Sequence, residues 1–187
     1  PITVHHLLTH TAGIISGMDF TGEHTYEVHA LREMPVGSPP GTFFHYSNVG
    51  YKALTVILER ISGMAYGDLI QQQILNPLQM VNTLPTILHA QRHLLAVGYT
   101  HLYDDRPPLP GRPIAPATWF QYGYGDGSIV SNAEDMVLFI QMMLKRGGGL
   151  ITESSFDLLT TPYIPAFGSH HYGYGVIISE FDGLLHY

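Results

Sequence analysis

Cysteine is absent from this 187-residue chain. That excludes disulfide scaffolds, cysteine nucleophiles and cysteine metal sites, while leaving the compartment open. Charge is scarce as well: Asp, Glu, Lys and Arg make up 12% of the residues. The 8 basic residues are scattered among 15 acidic ones, for a formal net charge of -7. Nucleic-acid binding needs a clustered basic face, so the composition argues against it. No apolar run approaches the ~18 residues of a membrane-spanning helix. Neither a Gly-x-Ser-x-Gly elbow nor a Ser-x-x-Lys pair occurs anywhere. The chain begins at Pro1 and closes in mid-strand at Leu184–Tyr187, so both ends read as cuts through a larger protein.

Apolar residues are plentiful, at 45%, with 12 Tyr and 8 Phe. A chain of this size and polarity folds around a core and buries roughly 70% of its unfolded surface. Thr3 is placed to cap a short helix carrying Val4, Leu7 and Leu8, closed by Gly13. Residues 14 to 39 read as loop with a short helix near Tyr26–Arg32. Val49, Ala53, Val56, Ile57 and Ile61 recur at helical spacing behind Ser47 or Asn48 as cap, and Gly63 ends that helix. A second helix carries Tyr66, Leu69, Ile70 and Ile74 and is expected to stop at Asn76-Pro77. Residues 81 to 118 show no pattern, and the Pro-rich stretch 104–116 reads as a binding loop or surface excursion. Ser131-Asn132-Ala133-Glu134 reads as a capping box for a helix over Met136–Leu144. Thr152 starts another helix, and Tyr172–Ser179 reads as a strand turned by Asp182-Gly183 into Leu184–Tyr187. Helices first and strands last make an α+β layout: a helical domain over 1–167 and the start of a sheet over 168–187.

Within this frame, Pro40-Gly41-Thr42-Phe43-Phe44-His45-Tyr46-Ser47-Asn48 holds a tyrosine rigidly where a helix begins. Such a phenol is either a packed anchor, with its hydroxyl bonded to backbone, or a proton-transfer group. His6 and His10 lie four apart, the spacing of zinc-binding helices, but Leu7 stands where the zinc-hydrolase motif has Glu, and no third ligand is evident. Trp119, Tyr122 and Tyr124 precede the Gly125 turn, where they either line a cleft or fill the core.

Four stretches together resemble one family. Ile2–Ile14, with Leu7-Leu8-Thr9-His10-Thr11-Ala12-Gly13 at its centre, is similar to a helix segment of the serine β-lactamase and penicillin-binding-protein superfamily, class C branch. Tyr46-Ser47-Asn48 resembles that family's Tyr-x-Asn motif. Leu75-Asn76-Pro77-Leu78-Gln79-Met80 resembles its Leu-x-Pro-Leu-Gly-Met landmark, with Gln79 in place of Gly. Gly125-Asp126-Gly127-Ser128 to Asp135-Met136 resembles its Gly-Gly-x-x-Ser-Thr-x-x-Asp segment. The order and spacing agree along the whole chain.

The resemblance implies a β-lactamase/transpeptidase-like fold and an active-site serine hydrolase working through an acyl-enzyme on amide or ester bonds. It implies DD-peptidase, D-aminopeptidase or esterase activity ahead of true β-lactamase activity. In the family, a Ser-x-x-Lys motif supplies the nucleophile, which this chain lacks. Tyr46 is then the proton shuttle and Asn48 its partner, with Trp119, Tyr122, Tyr124 and His186 on the substrate side. His186-Tyr187 either opens the family's His-x-Gly wall or belongs to the strand leading into it. The implied partners are a small-molecule or peptide substrate and the remaining N- and C-terminal parts of the same protein. No metal or cofactor is implied. The alternative from another class is a non-catalytic relative that keeps the fold for binding or assembly.

Overall fold

The computed structural model describes residues 1–15, 24–103, 107, 109–117, 121–127 and 129–187. Helix α1 (Val4–Leu8) starts on Thr3, whose hydroxyl accepts from the His6 amide while the His6 ring accepts from the Thr3 amide. Helix α2 (His24–Ala30) continues into a 3-10 turn over Leu31–Glu33. Helix α3 (Asn48–Ser62) is capped by the Ser47 hydroxyl on the Gly50 amide and closed by Gly63 at φ 70°. Glycine carries no Cβ penalty in that left-handed conformation.

The apolar stripe of α3 faces α1 and α2. Leu7, Ala12, Ile14, Val49 and Ala53 form one core cluster, with Val28 and Leu31 packed against it. A second cluster gathers Tyr66, Ile70, Leu75 and Met80 against Leu138 and Phe139 of α6 (Ala133–Leu144).

The expected stop at Pro77 does not occur. Helix α4 (Tyr66–Ile70) passes through a wider, i→i+5 wound stretch over Gln71–Leu75 into α5 (Asn76–Leu78), which carries Pro77 at its start. The first turn of a helix has no use for the amide that proline lacks, so the chain winds on. It stops instead at Gln79, at φ 59°. The cap of α6 is also displaced from the expected box. Asn132 is the cap and accepts from the Asp135 amide, whereas the Ser131 hydroxyl pairs with Thr83.

The stretch that shows no pattern in sequence holds a two-stranded hairpin. Strand β1 (Tyr99–His101) pairs antiparallel with β2 (Ile114–Pro116), closing the Pro-rich excursion at its base. After α7 (Glu153–Leu159) comes a four-stranded antiparallel sheet in the order β3 (Ile164–Ala166), β4 (His170–Tyr172), β5 (Ile177–Phe181), β6 (Leu184–His186). The sheet thus begins at Ile164, ahead of the boundary at 168 read from sequence, and Tyr172–Ser179 divides between β4 and β5. Asp182-Gly183 makes the turn between β5 and β6, both residues at positive φ.

Candidate active site

Helix α1 ends at Leu8, so His10 lies beyond it, at φ 56°. This separates His10 from His6, and the paired helical face that a shared metal ion needs does not form. The His6 Nδ1 accepts from Thr3, and the His10 Nδ1 accepts from the Ser47 amide at 3.0 Å. An accepting Nδ1 places the ring proton on Nε2. The His10 carbonyl in turn accepts from the His45 amide at 2.8 Å. One buried residue therefore binds the chain on both sides of Tyr46.

Rings complete the enclosure. His10 lies 4.4 Å from the Tyr46 ring centre and stacks on Tyr51 at 4.6 Å with 24° between planes. The Tyr51 hydroxyl donates to the Leu8 carbonyl at 2.9 Å, anchoring α3 to the end of α1. Burial is the main reason the Tyr51 phenol is pushed upward, with Tyr172 adding to it. Burial likewise lowers the His10 imidazole to about 4, helped by His45, so the ring is neutral at pH 7. Tyr46 itself is 47% exposed. Its ring is held from behind and open in front.

Phe44 and Phe167 flank the opening. Phe167 sits at the β3–β4 turn at φ 32°, a conformation that costs a bulky residue steric strain. Its ring meets Phe44 edge-on at 5.1 Å and approaches Tyr46 at 6.4 Å. Asn48 is the first residue of α3 and is half-buried.

Tyr122 and Tyr124 are engaged in a different cluster, on α3 one turn further along. The Lys52 ammonium is buried and reaches Glu27 of α2 at 2.5 Å and Asp126 at 3.7 Å. The Tyr122 hydroxyl donates to Asp126, and its ring centre is 5.6 Å from the ammonium. Tyr124 packs on His24 at 4.1 Å. The Gly125 turn rests on α3, where a Cβ would meet the Thr55 hydroxyl at 2.7 Å, so the approach requires glycine. His186 lies at the end of β6, opposite Ser179. Trp119 lies outside the described residues.

Sequence reasoning singles out Tyr46 but overlooks what surrounds it: His10, Phe44, Tyr51, Phe167 and Tyr172. The only local trace was a histidine just before the Ala12-Gly13 turn, where the chain leaves the helix. Its partnership with a segment 37 residues away has no signature in spacing.

Compared with known proteins, the chain matches the family model described as Beta-lactamase over residues 1–184. The chain belongs to the β-lactamase family. Among relatives of this β-lactamase-family chain, the unguisins hydrolase of Aspergillus campestris is 25% identical over 166 residues, covering 84% of this chain and 31% of the relative. Penicillin-binding protein 4 of Amycolatopsis lactamdurans is 25% identical over 204 residues, covering all of this chain and 52% of that protein. The chain thus spans about a third to a half of these curated relatives. The octameric penicillin-binding protein homologue from Pyrococcus abyssi superposes at a TM-score of 0.78 and 28% identity, over 99% of this chain and 45% of its own. The fold is accordingly the β-lactamase/transpeptidase-like α+β fold.

Proposed function

We propose that this chain supplies the Tyr46–Asn48 wall of a serine hydrolase that works through an acyl-enzyme on amide or ester bonds. One observation carries the reading: a half-exposed tyrosine at a helix start, fixed from behind by buried partners and open toward solvent. A tyrosine that serves only as a packing anchor buries its ring, whereas Tyr46 is 47% exposed. Family membership and the hydrolase among the relatives support the same reaction class.

The chemistry assigns Tyr46 two proton transfers. A serine hydroxyl is a weak nucleophile and needs an adjacent base. An ammonium beside a phenol favours the phenolate, and the family's Ser-x-x-Lys motif provides both serine and lysine. The Tyr46 oxygen takes the serine proton as the serine Oγ–acyl carbon bond forms. It returns that proton to the leaving nitrogen or oxygen as the old acyl bond breaks. Water then repeats the sequence and frees the serine. Asn48, at the first position of α3, presents an amide for the lysine or the substrate carbonyl. On this reading Tyr122 and Tyr124 border the cleft through the Gly125 turn, and the loop 104–116 tunes substrate choice. D-amino-acid peptides, esters and β-lactam-like compounds are the substrates proposed.

The deciding experiment is Tyr46→Phe in the full-length protein, with acylation followed by a fluorophosphonate or penicillin probe. Acylation should fall by about two to four orders of magnitude, the range a positioned acid–base group supplies. Unchanged labelling would remove Tyr46 from the mechanism.

A further inference from the structure

Ser47 is the cap of α3, so its own amide lies outside the helical ladder, and at 4% exposure it has no access to water. A buried amide of this kind must find a partner within the protein. The partner is the His10 Nδ1, and the amide two residues earlier, on His45, is taken by the His10 carbonyl. The Phe44–His45 and Tyr46–Ser47 peptide groups, one before and one after the Tyr46 α-carbon, are thus held by a single residue, whose ring also faces the phenol.

We propose that His10 is a positioning residue for Tyr46, clamping the backbone on either side of the phenol and setting the direction in which its oxygen points. The inference rests on the proton-shuttle reading of Tyr46 and adds to it a residue that touches neither substrate nor nucleophile. His10 is suited to the role because it is itself immobile. Its amide donates to the Leu7 carbonyl at 3.3 Å, and Tyr51 and Tyr172 pack on its ring at 4.6 and 5.1 Å. On the next residue, the Thr11 carbonyl accepts from the Gly41 amide at 2.8 Å, tying the start of the Tyr46 loop to the same turn. A core histidine serving only to fill space would have no need to turn its ring acceptor onto a loop amide.

Two substitutions separate positioning from packing. His10→Gly keeps the left-handed backbone comfortable and removes the ring. His10→Asn also tolerates that backbone and restores an acceptor near the Nδ1 position. In the full-length protein, acylation by a nitrophenyl ester should show kcat lowered about 10- to 100-fold by His10→Gly, the scale of a reacting group misplaced by about 1 Å. KM should change little, and His10→Asn should recover most of kcat. Added to Tyr46→Phe, His10→Gly should have almost no further effect, because the group it positions is already gone. Should His10→Gly fail to fold, His10→Phe replaces it: it keeps a ring and removes the acceptor, and the strain it adds at φ 56° is read separately as a shift in melting temperature. Full kcat in the variants without an acceptor, or no recovery with Asn, would overturn the proposal while leaving Tyr46 catalytic. Tyr46→Phe acylating normally would overturn the proton-shuttle reading, and this inference with it.

Discussion

At the scale of single residues, His10 makes the pH response of the fold predictable. Its ring is held neutral, with a pKa lowered from 6.5 to about 4 by burial and by His45. The unfolded chain takes up a proton near 6.5, whereas the folded chain does so only near 4. Stability from this group is therefore complete above pH ~6.5, declines as the pH falls from there, and is lost below ~4. At ~1.4 kcal/mol per unit, the change is on the order of a few kcal/mol. Urea unfolding at pH 7 and at pH 4.5 should show a larger loss for the parent than for His10→Asn, which has nothing to titrate at that position. Equal losses would assign the acid sensitivity to other groups.

Among the structural elements, α3 does two jobs from two regions. The loop that enters it carries Tyr46 and its first residue is Asn48, and one turn later Lys52 ties it to α2 and to the Gly125 turn through Glu27 and Asp126. Neither Lys52 nor Glu27 has solvent to fall back on. Removing the cation leaves both carboxylates buried without the Lys52 counter-charge, a change that costs about 3–5 kcal/mol in comparable pairs. Lys52→Met is expected to lower the denaturation midpoint accordingly. Glu27→Gln should cost less, because the ammonium keeps Asp126. A loss from Lys52→Met of under ~1 kcal/mol would mean that the cluster relaxes or takes up a proton instead.

Lys52 also shows what the sequence conceals at this scale. Helices α3 and α6 were legible because fifteen and twelve residues of stripe, with a cap at each start, repeat one signal several times. A lone lysine among apolar residues reads as a surface side chain, and only the approach of Glu27 and Asp126 reverses that reading. The β1–β2 hairpin escaped for the converse reason: three-residue strands with largely exposed faces carry no alternation. Pro77 misled because a proline reads as a stop unless a new helical turn begins on it. In the candidate site, Tyr46 and Asn48 were visible through motif resemblance. The residues that enclose Tyr46 come from three other segments and were not.

On the scale of the whole molecule, the site is a meeting place of separated segments: the end of α1, the loop before α3, and the β3–β4 turn. A cleft assembled this way functions only when each wall is present. No Ser-x-x-Lys occurs in these 187 residues, so on their own they should give neither an acyl-enzyme burst nor turnover of a nitrophenyl ester. A burst at stoichiometric amplitude would place the nucleophile on a serine within the chain.

Phe167 allows the two readings of this protein, enzyme or binding module, to be told apart by descent. Its backbone angle of φ 32° is one that glycine or asparagine adopts at lower cost, and its ring is 50% exposed. Relief of strain, of order 1–3 kcal/mol, is comparable with the packing such a ring contributes. Folding alone therefore gives selection little reason to keep a phenylalanine there. A gene copy released from turnover is expected to drift at this position early, whereas a copy still under catalytic selection holds the ring beside Tyr46.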